Sequence, residues 1–295
     1  DVVHLAAVSA LSTSNSEVTN RFPLPVFSQS TTDRNISDSE INEIADFIDD
    51  LQDNLIAYGM INEYSYDFSL LIVSAMLAQK HIIVCGSQAE EVANSISLLM
   101  NKEMAQQVFL PIGYSDINKL ISIMNQSLSK VFVVYNALDT FSDGVFLSLA
   151  KCCKDKLLVF SCQDPETYRH LPSYWSNYAV FIYTDFIWGL PTKDDFRCEK
   201  FDILGKKQLY KIEKSEILLQ VEESRIIKPA QINNLAKLES ICKNFNTNAD
   251  MASFPILCNM CMSLCGEKEV FFEIVEKNVT DENVVQLLKD EFSYE

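Results

Sequence analysis

Apolar residues recur along this chain with two periods, and the change from one to the other marks out its parts. Ile41, Ile44, Ile48, Leu51 and Leu55 fall on one face of a helix, with Ser37 or Ser39 placed to cap its start and Gly59 to end it. Its opposite face is acidic, carrying Asp46, Asp49, Asp50 and Asp53. The next segment, YDFSLLIVSAMLAQ, is apolar nearly all round, which predicts a buried helix. Five short continuous apolar runs follow: HIIVC (81–85), QVFLPI (107–112), KVFVVY (130–135), KLLVFS (156–161) and YAVFIY (178–183). Helical patterns at 88–102, 115–128 and 142–153 separate the first four, and an irregular link at 163–177 precedes the fifth. Strands apolar on both faces, alternating with amphipathic helices, predict an α/β core with a parallel five-stranded sheet flanked by helices, from about 80 to 190.

The flanks differ in character. Residues 1–36 are rich in Ser, Thr and Asn and read as an extended arm or linker; 37–196 hold the core and its preceding helices. The alternation over 197–228 predicts a β-rich connector with a hairpin or small sheet, and 229–295 reads as a separate small helical domain.

Composition narrows the class. The 295 residues are 48% hydrophobic and 22% charged, an ordinary globular balance, and the formal charge of −17 opposes binding to phosphate backbones. The nine cysteines lie mostly on apolar segments, so reduced thiols in a cytoplasmic protein are expected. No apolar run reaches the roughly 20 residues of a spanning helix, which predicts a soluble chain with no membrane partner. The start at Asp1 without methionine points to a processed chain or a piece of a longer one.

The stretch HIIVCGSQAEEVANS has the shape of a strand, a glycine turn and a helix, where a phosphate-binding loop would sit. Such a loop needs G-x-x-x-x-G-K-[ST], because glycine lets backbone amides wrap the phosphates, lysine supplies charge and the hydroxyl holds magnesium. Gly86 fits the first glycine, but Glu91, Val92 and Ala93 stand at the next three required places, and Glu90 adds a second negative charge.

The order of the surrounding segments resembles the core of the AAA+ P-loop ATPases. An apolar helix ending in MLAQK leads into the first strand, and PIGYSDINKL follows the second. VFVVYNALD is similar to the Walker B strand, with Asn136 and Ala137 at the two acidic places and Asp139 at the last. KLLVFSCQD resembles the sensor strand, with Ser161 or Gln163 as its polar residue, and Arg169 is the basic candidate before the fifth strand. The resemblance implies strands in the order 5-1-4-3-2, a helical lid at the C-terminus and AAA+-type subunits as partners. The missing Walker residues imply a pseudo-ATPase, binding no nucleotide or other cofactor. As a catalytically inactive module it would serve as an assembly, adaptor or regulatory subunit through protein–protein contacts.

Other constellations carry alternatives. Cys258, Cys261 and Cys265 share one helix face and, with Cys242, have the makings of a zinc or iron–sulfur site; within so apolar a run, core packing is the expected role. Lys200, Lys206, Lys207, Lys211 and Lys214 form a basic patch for nucleic acid, but acidic residues alternate with them and cancel much of the field. His4, His81 and His170 have no metal-ligand spacing. Two further functions therefore stand beside the first: an α/β enzyme using Asp139, Ser161, Cys162 or Asp185 at the carboxyl ends of the strands, and a nucleic-acid clamp or remodeller.

Overall fold

The computed structural model describes residues 24–111, 113–114, 116–138, 143–165, 167, 170–206, 209–246, 251–264 and 268–293. The fold is α/β, with a mostly parallel sheet flanked by helices. Five apolar runs become the strands β3 (His81–Cys85), β4 (Gln106–Phe109), β5 (Val131–Tyr135), β6 (Leu157–Cys162) and β7 (Ala179–Tyr183). Every residue of β3, β6 and β7 is buried, as continuous apolar strands covered on both faces require. The helices α3 (Ala89–Asn101), α4 (Ile117–Gln126) and α5 (Asp143–Cys152) connect them.

Among the described residues the sheet has six strands rather than five parallel ones. The additional strand, β1 (Val26–Gln29), lies within the segment read as an arm and pairs antiparallel with β4, placing Phe27 opposite Val108. The order across the sheet is β1-β4-β5-β6-β3-β7. A second, two-stranded sheet pairs β2 (Ile36–Asp38) with β8 (Phe196–Cys198) in parallel.

That small sheet explains where the first helix begins. Ser37 belongs to β2 and Ser39 donates from its amide to Cys198 O at 3.0 Å, so neither caps α1 (Ile44–Ala57). Instead Asp46 in its first turn accepts from the amides of Asn42 and Glu43 at 2.9 and 3.0 Å. Buried Asn54 of α1 then holds β8 in place: it donates to Arg197 O at 3.0 Å and to Ser95 O at 3.2 Å, and accepts from Arg197 N at 2.7 Å. The end of α1 follows expectation. Gly59 has φ 111°, and the amides of Gly59 and Met60 return to Ile56 O and Leu55 O, the two bonds of a Schellman turn.

The apolar helix α2 (Asn62–Leu77) is buried over most of its surface and packs against β3 and β7. The alternating segment after β8 forms no hairpin among the described residues. It runs irregularly and then forms α6 (Glu216–Ser224), capped by the Ser215 hydroxyl and burying Ile217, Leu218 and Val221 on one face. Nor do the C-terminal helices make a core of their own. α7 (Pro229–Phe245) packs on α2, and α8 (Phe254–Met262) packs on β7. Their buried residues join the same apolar cluster as the sheet, as do those of α9 (Lys268–Asn278) and α10 (Glu282–Phe292).

Asn259 of α8 reaches the edge strand itself, accepting the Phe181 amide at 3.0 Å. An edge strand whose amide is answered by a buried helix side chain is closed to pairing with another chain at that point. Among the described residues no helix is long and apolar enough to cross a membrane.

Candidate functional site

The carboxyl ends of the parallel strands are where an open α/β sheet presents ligand-binding loops. Here β3 ends at Cys85, the chain turns through three residues, and α3 begins at Ala89. The turn is fastened on both sides. Gly86 donates its amide to Cys162 O on β6 at 3.0 Å, while Thr184, just beyond β7, donates its amide to Cys85 O at 2.9 Å. The Thr184 hydroxyl lies 2.7 Å from Gln88 Oε1 and 3.2 Å from Cys85 O. Gly86 has φ 130°, a conformation that favours glycine, and a β-carbon there would come within 2.1 Å of Thr184 Oγ1 and 2.9 Å of Asp185 Oδ1. The space over the turn thus holds a hydroxyl and a carboxylate, and one of its amides already serves the sheet.

The three positions where G-K-[ST] would complete a phosphate loop lie in the first turns of α3. Val92 and Ala93 are wholly buried in the core. Glu91 is half-buried, with Oε2 enclosed and without a hydrogen-bond partner. Burial pushes its carboxyl above the usual range; its own backbone amide works the other way, and neighbouring Glu90 adds a further upward push. Glu90 accepts from Tyr135 Oη, at the end of β5, at 3.4 Å. Burial and then Glu90 raise the Tyr135 phenol, keeping it a neutral donor. Two carboxylates at a helix N-terminus complement its dipole and oppose a phosphate there.

At the acidic places that the resemblance implies after β5, neither described residue is a carboxylate. Asn136 takes a left-handed conformation, φ 62°, and donates from Nδ2 to Leu110 O at 3.1 Å. Ala137 is buried, and Asp139 lies outside the described residues, as does Arg169. A cavity of about 560 Å³ opens beside Asn136, lined by Tyr135, Leu138, Ser161, Gln163, Asp164 and Thr167. No lysine or arginine stands among these residues, and Thr167 Oγ1 donates to Asp164 Oδ2 at 2.8 Å. Among the described residues the wall is neutral-polar to acidic. Cys162 and Asp185, offered with Ser161 as enzyme candidates, are divided: Cys162 is buried and paired in register with Cys85, and Asp185 sits over Gly86.

The remaining candidates disperse. Cys258 and Cys261 are buried in α8, and Cys265 lies outside the described residues. Burial pushes the Cys261 thiol up to about 12 and Cys258 well above its usual value, against the thiolate a metal needs. Among the described residues no three His, Cys, Asp or Glu side chains cluster in a way that could hold a metal ion.

In the basic patch, Lys211 pairs with Glu213 at 2.7 Å and Lys214 with Glu222 at 2.5 Å. Lys206 lies over the Phe201 ring at 4.8 Å, Lys200 is exposed, and Lys207 is outside the described residues. His81 is a core residue. Its Nε2 lies 3.1 Å from Ala150 O and its Nδ1 accepts the Leu158 amide at 3.3 Å, which fixes the Nε2–H tautomer. His170 is exposed, and His4 lies outside the described residues.

Sequence reasoning missed Thr184 and Gln88. Each is an ordinary polar residue after an apolar run, and only the pairing of β3 with β7 brings them together. The chain matches no known family model and no curated protein.

Proposed function

We propose that this chain is a catalytically inactive AAA+-like module that acts as an assembly, adaptor or regulatory subunit through protein–protein contacts. The observation that carries the reading is the closed turn after β3. Thr184 and Asp185 occupy the space over Gly86, and the positions of the phosphate-loop lysine and hydroxyl are core residues. The order of the parallel strands supports the kinship. Numbered by their sequence among the five, they lie as 5-1-4-3-2 across the sheet, the order that the resemblance implies, with β1 as an added edge.

The surface offers a partner its acidic face on α1. Asp49 and Asp50 are raised by burial first; Asp46 and Asp53 add to that for both, while Ser39 and Arg197 pull Asp50 the other way. Carboxylates that repel one another favour a cationic partner surface, which relieves the repulsion.

Steady-state hydrolysis of ATP and GTP by the full chain in magnesium tests the loss of catalysis. The reading expects no turnover above the protein-free rate; magnesium-dependent turnover that tracks the protein through purification overturns it.

A further inference from the structure

A second cavity, of about 630 Å³, lies far along the chain from the closed turn, where α6 turns into α7 against the start of the 3-10 helix Ser173–Asn177 and the end of α8. That volume is in the range of pockets that enclose small organic molecules. Its apolar side is made by Ile226, Ile227, Ile232 and Leu264; the last three are 9%, 1% and 2% exposed and form a fixed floor continuous with the core, while half-buried Ile226 is the most accessible of the four.

The pocket is held in shape by one amide. Gln231, itself 3% exposed, donates to Ser173 O at 3.0 Å and to Ser263 O at 3.3 Å and accepts the Lys228 amide at 3.1 Å. These bonds join the 3-10 helix, α8 and the first turn of α7, leaving no side-chain hydrogen of Gln231 to spare for a ligand beyond those uses.

Two cations stand in the lining, Arg225 and Lys228. Arg225 occupies the left-handed turn closing α6, φ 59°, and its amide returns to Glu222 O at 3.2 Å, which fixes its backbone at the pocket. Neither side chain has an acidic or carbonyl partner among the described residues. Among the described residues the lining includes one carboxylate, Glu222, already held by Lys214 at 2.5 Å. In a chain of net charge −17, this pocket sets two cations that are unpaired among the described residues beside an apolar wall.

We propose that this pocket binds a small organic anion with an apolar body, its carboxylate or equivalent acid group held by Arg225 and Lys228 and its hydrocarbon part against Ile226, Ile227, Ile232 and Leu264. A guanidinium and an ammonium supply charge-assisted hydrogen bonds to an acid group, and the wall supplies the dewetting energy that a bare inorganic ion has no means to use. This goes beyond the adaptor reading and does not depend on it.

The test is calorimetric titration of the full chain with three probes: octanoate, octanol and inorganic phosphate. Octanoate is expected to bind saturably at one site per chain, with a Kd in about the millimolar range or tighter. Octanol and phosphate are each expected to bind at least roughly tenfold more weakly. The double variant R225Q/K228Q, in which both exposed side chains keep much of their length, is expected to weaken octanoate by about tenfold or more with an unchanged thermal midpoint. Raising salt should weaken octanoate binding to the unaltered chain, a check that needs no variant. No saturable octanoate binding, octanoate binding equally well to a folded R225Q/K228Q variant or unaffected by salt, or phosphate binding as tightly as octanoate, would each overturn the proposal.

Discussion

Thr184 stands where a β-carbon on Gly86 would have to be, 2.1 Å from its hydroxyl oxygen, so two residues almost a hundred positions apart share one space at the mouth of the sheet. The relationship ties a backbone requirement to the proposed function, since the group that forbids a side chain at 86 also stands over the turn where the proposal excludes phosphate. Gly86→Ala is therefore expected to lower stability by about 2–5 kcal/mol, from a left-handed conformation and a steric clash together. Thr184→Ala added to it should recover about 1–2 kcal/mol, the clash alone, read as a double-mutant cycle from urea unfolding.

Lys80 gives a prediction in pH. It is 5% exposed, its ammonium donates to Ser176 O, and burial followed by the nearby charge of Lys237 lowers its pKa to about 7. Between pH 7 and the ordinary lysine range near 10.5 the unfolded chain binds a proton that the folded chain does not, so this group adds stability as pH rises through that window. Below pH 7 its cost is fully present. Lys80→Met should stabilise the protein at neutral pH by about 1–3 kcal/mol, with the difference between the two curves shrinking toward pH 10.5. Urea unfolding of both proteins across that range measures it.

His81 works in the acidic range. Burial lowers its pKa to about 4, partly offset by the hydrogen bond to Ala150 O. From pH 6.5 down to about 4 the unfolded chain takes up a proton that the folded ring does not, so stability falls across that window and levels off below it. The expected loss is roughly 3 kcal/mol. Imidazole resonances followed by NMR should show His81 neutral at pH 5.5; a ring protonated at that pH with the fold intact contradicts this account of the core.

Asn259 closes the β7 edge through the Phe181 amide. Asn259→Ala leaves that buried donor without an acceptor and should cost about 1–3 kcal/mol. Amide exchange at Phe181 should accelerate more than at Val180 or Ile182, which locates the loss at the edge.

The sequence made the central strands legible because each is apolar on both faces, a pattern that needs no partner to be recognised. It made the start of α1 misleading, because Ser37 and Ser39 are committed to pairing with Phe196 and Cys198, some 160 residues away. The same cause hid β1, whose outward residues are polar or exposed. At the candidate site the absence of phosphate-loop and Walker B residue types could be read directly at Glu91, Val92, Ala93, Asn136 and Ala137. What occupies the space over Gly86 could not, because Thr184 and Asp185 reach it only through the β3–β7 register.

The exclusion of phosphate from the turn after β3 is the central claim, and titration of the full chain with ATP and magnesium in a calorimeter tests it most directly. The closed turn predicts no saturable binding up to millimolar nucleotide. A one-to-one complex of micromolar affinity that tightens in Glu91→Gln would contradict it, because losing that negative charge strengthens binding only where the phosphates lie against the start of α3.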